Sequence, residues 1–233
     1  GGSYGILAGS GSAGIVDFVD VDISGTSTAG VYYIKDLKGE LTGSIGTSAG
    51  AGIKFGTRTS QDITWEGMNL ATNGVGIETA GSGALTFIDS AFSNTKDAVI
   101  SGSATIDFIE GTIDTTTVEV TGTGKLSRMR SLDVTVTADN IAVEDTRVVL
   151  KNAEGQTSGL ATTDSNGLAK DLTFTTETVD ASGVDVINLA GYQAVTIGKV
   201  GSYYWNGPND NAADFRYAID NLSSNDSPGN SHS

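Results

Sequence analysis

Residues 75–108 read VGIETAGSGALTFIDSAFSNTKDAVISGSATIDF. Apolar residues come in short alternating bursts: Val75 and Ile77, Leu85 and Phe87 leading to Phe92, Ala98 beside Val99, then Ile106 and Phe108. A period of two is strand periodicity, not helix periodicity. Gly, Ser, Thr, Asn and Asp separate the bursts, and these are turn residues. Strands this short cannot hold cores of their own.

The same pattern runs outward in both directions. Ile6 with Ala8, Val31 with Tyr33, Ile53 with Phe55, Val118 with Val120 and Ile141 with Val143 repeat the first burst. Val16-Asp17-Phe18 leading to Val21 and Ile23, and Ile63-Thr64-Trp65 leading to Met68 and Leu70, repeat the second. Leu126 to Val134 is a less regular version, and Val148 to Leu150 begins another. The interval is about 20 to 25 residues, a repeat length typical of solenoids. Stacked at a constant period, such strands share one continuous core, with like positions aligned in ladders about 4.8 Å apart.

The pattern resembles the right-handed parallel β-helix. That resemblance implies an all-β fold of about seven coils, each about 22 residues long, over residues 1–150. The competing architecture is an antiparallel sandwich, whose strands are longer and joined by hairpins.

The character changes near Lys151. Glu154-Gly155 and Asn166-Gly167 are turn signals, and an Asn-Gly step between extended runs marks a hairpin. Gly159 to Thr163 is therefore expected to pair with Leu168 to Thr175. The run Thr163-Asp164-Ser165-Asn166-Gly167-Leu168-Ala169 resembles the turn of carboxypeptidase-regulatory-like and immunoglobulin-like modules of secreted proteins. Val184 to Leu189 and Tyr192 to Ile197 read as further strands of a last coil. In residues 210–224, Phe215, Ala218, Ile219 and Leu222 fall on one helical face. This helix is expected to cap the solenoid. The predicted organisation is a parallel β-helix over 1–150, a hairpin or Ig-like β module with the last strands over 151–200, an aromatic loop and capping helix over 201–224, and a mobile tail over 225–233.

Composition narrows the function. The chain of 233 residues has 28 acidic and 13 basic side chains, a net charge of -15, which repels phosphate backbones and argues against nucleic acid. No run is long and apolar enough for a transmembrane helix. There is no Cys, so disulfides, thiol catalysis and thiolate metal sites are excluded. Its one histidine, His232, lies next to last in a polar tail, unsuited to a catalytic triad. The histidine and the Arg-Ile-Lys element of pectin hydrolases are missing. The chain opens Gly1-Gly2-Ser3, without Met and already inside the repeat, so we expect removed leader sequence or a segment of a longer surface protein.

Several residues are candidate ligands. Calcium takes oxygen donors, and two clusters offer them: Asn206, Asn209, Asp210, Asn211 and Asp214 in one loop, and Asp17, Asp20 and Asp22 on one outward strand face. Tyr203, Tyr204 and Trp205 form an aromatic run suited to sugar rings or to a protein interface. Asn221-Leu222-Ser223 and Asn225-Asp226-Ser227 are glycosylation sequons. Arg128 and Arg130 precede Arg147 by one coil and are the candidate basic patch. No catalytic residue is expected.

The expected function is a non-catalytic structural or adhesive module of a secreted or cell-surface protein. Its partners would be copies of itself or flanking domains, and calcium is the one candidate cofactor. The chain is similar in style to surface-layer proteins, adhesins and extracellular filaments. The alternative is a glycan-binding or polysaccharide-cleaving β-helix, as in lyases and tailspikes. There, acids, Arg128, Arg130, Arg147 and aromatics would line one groove.

Overall fold

The computed structural model describes residues 2–9, 17–34, 39–57, 59, 62–187, 192–200 and 203–205. The fold is all-β, a parallel β-solenoid of about five turns with almost no helix. Its contacts divide the chain into two compact units: Gly1–Met129 with Thr175–Ile187, and Arg130–Phe174 with Asn188–Ser233.

In the first unit the strands follow one another around the coil. They are β1 (Tyr4–Ala8), β2 (Phe18–Ser24), β3 (Ala29–Tyr33), β4 (Leu41–Gly46), β5 (Ala51–Phe55), β6 (Ile63–Glu66) and β7 (Asn69–Ala71). β8 (Val75–Thr79), β9 (Ala84–Ile88), β10 (Ala91–Ser93), β11 (Lys96–Ile100), β12 (Thr105–Ile109) and β13 (Val118–Val120) continue the winding, and β14 (Lys125–Thr135) leaves it. Like strands stack into sheets. Sheet I has the order β1-β3-β5-β8-β11-β13, sheet III the order β10-β7-β4-β2, and sheet II begins with β6, β9, β12 and β14. Every pairing among the described rungs is parallel, with like positions aligned: Ile6, Val31, Ile53, Ile77, Ala98 and Val118 form one column.

The alternation read from sequence is the alternation of burial. Ile63, Trp65, Leu85, Phe87, Ile106 and Phe108 are buried, and Thr64, Thr86 and Asp107 between them face out. Aromatic rings run through the core as a spine. Tyr33 stacks on Phe55 at 5.2 Å between centroids, Trp65 meets Phe87 edge-on at 5.9 Å, and Phe92 meets Phe108 at 4.8 Å. Corners need a left-handed residue to turn the chain between sheets. Thr47 and Thr72 supply it on one corner (φ 53° and 58°), and Asp89 and Glu110 on another (φ 48° and 55°). Rungs approach so closely at the corners that a Cβ on Gly102 would overlap the backbone of Ala80 and Gly81.

The stack is shorter than the seven coils expected, because the repeat stops at β13 and β14. Ile141 and Ala142 are not a further rung. They form β16 (Ile141–Ala142), which pairs antiparallel with β15 (Thr137–Ala138). Val148 to Leu150 lies in β17 (Arg147–Lys151), the centre of an antiparallel sheet in the second unit. β17 pairs with β18 (Thr157–Thr162), and their hairpin closes at Glu154-Gly155, where Gly155 has φ 76°.

The hairpin expected at Asn166-Gly167 is not formed. β18 pairs with β17, while the next strand, β19 (Leu168–Asp180), joins sheet II. The turn itself closes: the Asp164 carboxylate accepts the N–H groups of Asn166 at 2.8 Å and Leu168 at 3.1 Å, and the Asp164 N–H donates to Leu168 O at 3.0 Å, but each flanking strand finds its ladder partner in a different sheet. The second unit has its own core of Val136, Val148, Leu150, Ala169 and Leu172.

Sheet II is closed by strands absent from the repeat. β19 lies next to β14, and β20 (Gly183–Val186) pairs antiparallel with β19. Val179 of β19 enters the solenoid core. Val184 to Val186 is therefore an exposed antiparallel edge strand of sheet II rather than part of a last coil. β21 (Gln193–Val200) pairs antiparallel with β17, and β22 (Tyr203–Trp205) with β21. The capping helix expected over 210–224 lies outside the described residues.

Candidate functional site

The outward side of sheet I carries one column whose members are set by register: Leu7, Tyr32, Lys54, Glu78, Val99 and Glu119. Lys54 Nζ donates to Glu78 Oε1 at 2.5 Å, one rung on. Lys96 pairs with Glu119 in the same way. Lys54 also lies 5.9 Å from the Tyr32 ring centroid, and Tyr32 stacks on Tyr4 at 5.6 Å. Tyr32 thus faces out and Tyr33 in, as alternation requires. Burial pushes the Tyr33 phenol up from its ordinary value, so it stays protonated. The end of the column is apolar, with Tyr4 and Leu7 37% and 56% exposed.

A second column is buried at the corner before sheet I. Thr26 Oγ1 donates to Ser48 Oγ at 2.7 Å, the Ser48 N–H to Asn73 Oδ1 at 3.0 Å, and Asn73 Nδ2 to Asn94 Oδ1 at 2.9 Å. Asn94 Nδ2 in turn donates to Asp97 Oδ1 at 3.1 Å, and the Asp114 N–H to Asp97 Oδ2 at 2.9 Å. Buried polar groups of this kind are tolerable only when fully partnered. Asp114 caps the 3₁₀ turn Thr115–Thr117, and hydrogen bonds from the Thr116 hydroxyl and N–H hold its carboxyl below the usual carboxylate range.

The acidic strand faces outward as expected: Asp17, Asp20 and Asp22 are exposed, and Phe18, Val21 and Ile23 pack on the core. Phe18 and Val21 share a face despite their spacing, because a bulge falls between them, with Asp20 at φ 53°. Asp17 Oδ1 accepts the Glu40 N–H at 2.9 Å. Among the described residues, no three acidic or histidine side chains gather into a metal-binding group. Asn206, Asn209, Asp210, Asn211 and Asp214 lie outside the described residues, as do Asn221 and Asn225. Tyr203, Tyr204 and Trp205 form β22, the edge strand of the second unit's sheet.

Arg128 takes the register position of Phe108 on the next rung, so it ends the aromatic column of sheet II. Its Nη1 lies 3.4 Å from both Glu177 carboxylate oxygens, and Thr115 Oγ1 donates to Glu177 Oε2 at 2.9 Å. Arg128 is thus part of the core's polar lid. Arg130 is on β14 and Arg147 is exposed on β17, both in the second unit.

The cross-rung pairs were not anticipated, although their spacing signals them. Lys54 and Glu78, Lys96 and Glu119, and Asn73 and Asn94 are each separated by about one coil length. No family model, no curated protein and no solved structure matches this chain.

Proposed function

We propose that the protein is a non-catalytic structural module of an extracellular or cell-surface assembly. One observation carries this reading. Ionic and amide side chains on several described rungs are partners of one another along the stack: Lys54 with Glu78, Lys96 with Glu119, Asn73 with Asn94. A surface whose ionic groups bind successive rungs is built for length and regularity. Solenoids are quasi-one-dimensional and serve as spacers and repeating assemblies. The net charge of -15 keeps such a protein soluble in salt.

Calcium is the cation to vary, since it takes carboxylate and amide oxygens such as those of Asp17, Asp20, Asp22 and the loop from Asn206 to Asp214. Electron microscopy of the purified chain, with calcium and then with a chelator, tests the reading. Filaments or sheets are expected, dissolving on chelation if calcium bridges the contacts. Dispersed particles under every condition would sink self-assembly.

A second reading, glycan binding, draws on the stack of exposed Tyr4 on half-buried Tyr32, beside Lys54. Aromatic faces flanked by charge suit sugar rings. Binding of acidic polysaccharides that Tyr32→Ala abolishes would favour it, and cleavage of them would overturn the non-catalytic assignment.

A further inference from the structure

Two Asn-Gly steps lie among the described residues, Asn73-Gly74 and Asn166-Gly167. Such a step can react with itself. Glycine carries no Cβ, so its backbone nitrogen can approach the asparagine Cγ. The N–Cγ bond forms, the side-chain amide leaves as ammonia, and the resulting succinimide takes up water to give aspartate or isoaspartate. Two conditions govern the step. The carboxamide must be free to turn, and the glycine N–H must be released from its acceptor.

The fold treats the two steps differently. Asn73 is buried, its Nδ2 donates to Ile45 O and Asn94 Oδ1, both at 2.9 Å, and its Oδ1 accepts the Ser48 N–H at 3.0 Å. The Gly74 N–H donates to Ser48 O at 2.9 Å. Freeing this step means parting rungs of the solenoid. Asn166 instead is exposed in the turn between β18 and β19, and its side chain bonds to the Asp164 carboxyl, itself exposed. The Gly167 N–H donates to Asp164 O at 2.8 Å, so this turn must open before the attack. The Asp164 carboxylate holds it shut by accepting the Asn166 and Leu168 N–H groups. Opening a surface turn costs far less than separating packed strands.

We propose that Asn166 is a site of spontaneous deamidation, gated by opening of the Asp164 turn, and that the fold locks Asn73 against the same reaction. The product sets a second carboxylate beside Asp164. Isoaspartate also adds one carbon to the main chain, so the turn no longer closes as before. The change reaches inward, because Gly167 O accepts the N–H of buried Val136 at 2.8 Å. Ageing at this site therefore loosens the core of the second unit and leaves the solenoid rungs intact. It does not depend on whether the protein assembles.

Peptide mapping by mass spectrometry tests it, on the full chain aged at mildly alkaline pH with and without urea. Trypsin cuts after Arg58, Lys96, Lys151 and Lys170, so the two steps fall on separate peptides. In the folded chain Asn166 should convert to the acid while Asn73 does not, and in urea both should convert alike. Asp164→Ala should raise the Asn166 rate about fivefold, the factor by which one lost hydrogen bond shifts the opening equilibrium. Asp164→Asn keeps the acceptor oxygen and should stay near the parent. Amide exchange in the parent reads the gate a second way, with Gly167 exchanging faster than Gly74. Asn166 reacting no faster than Asn73 in the folded chain overturns the site. A rate that a folded Asp164→Ala leaves unchanged, or slower exchange at Gly167 than at Gly74, overturns the gate.

Discussion

Asn94 Oδ1 accepts from both the backbone N–H and the side-chain Nδ2 of Asn73, at 3.1 and 2.9 Å, one rung apart. Asn73 Nδ2 also donates to Ile45 O at 2.9 Å, while its Oδ1 accepts the Ser48 N–H. One carboxamide therefore serves three rungs at 1% exposure. Asn73→Ala leaves the buried Ser48 N–H without its acceptor, and an orphaned buried group costs about 1–3 kcal/mol. Urea unfolding should register that loss. An unchanged midpoint would mean that the column is ornamental.

Phe108 tests the core register. Its ring is fully buried, between Phe87 at 6.2 Å and Phe92 at 4.8 Å. Phe108→Ala should cost about 3–5 kcal/mol, and Phe108→Asp should cost more than Phe108→Ala, because it adds the desolvation of a carboxylate to the lost packing. Unfolding curves that rank the two variants the other way would contradict the inward assignment.

Gly102 tests the close approach of rungs. Gly102→Ala places a methyl on the backbone of Ala80 and Gly81, which cannot rotate aside. The expected cost is about 1–3 kcal/mol, the range for overpacking. A stability equal to the parent would show that the corner has room.

Two ion pairs of similar chemistry should differ in strength. Lys54–Glu78 has side chains 28% and 33% exposed, so Glu78→Gln should change stability by less than about 1 kcal/mol. Glu177 is 21% exposed and accepts from both Arg128 and Thr115. Glu177→Gln deprives the partly buried Arg128 of its anion and should be the more damaging of the two. Paired thermal melts decide the order.

Asp164 gives a pH dependence. Hydrogen bonds from the Leu168 and Asn166 N–H groups hold its carboxyl below the usual carboxylate range. Its contribution to the turn is thus fully present above the ordinary carboxylate value and is lost as pH falls through the lowered one. Amide shifts of Asn166 and Leu168 should follow that acid titration. In Asp164→Asn the acid-side change should vanish.

The solenoid was legible because burial obeys a period of two and the rungs obey a constant length. Trp65, Phe87 and Phe108 could be placed inward from alternation alone. The ends were not legible. Arg128 and Glu177 are 49 residues apart, and nothing near either announces the other. Asn166-Gly167 does turn the chain, with Asp164 N–H donating to Leu168 O at 3.0 Å and Gly167 N–H to Asp164 O at 2.8 Å, but it misled because the strands on either side pair with other partners. The bulge at Asp20 did not obscure the inward positions, since Phe18, Val21 and Ile23 are apolar whatever the local geometry. The cross-rung polar pairs were readable in principle, by asking which polar residues recur one coil apart.

The rungs are joined by equivalent bonds in equivalent register, so each is nearly interchangeable with its neighbours. A segment such as residues 75–95, which begins on one sheet I strand and ends before the next, could be duplicated in frame and find its partners already in place. Length then becomes a matter of copy number. Lineages could lengthen or shorten the solenoid by whole coils through slippage in the gene, while the Arg128–Glu177 pair stays where the repeat ends.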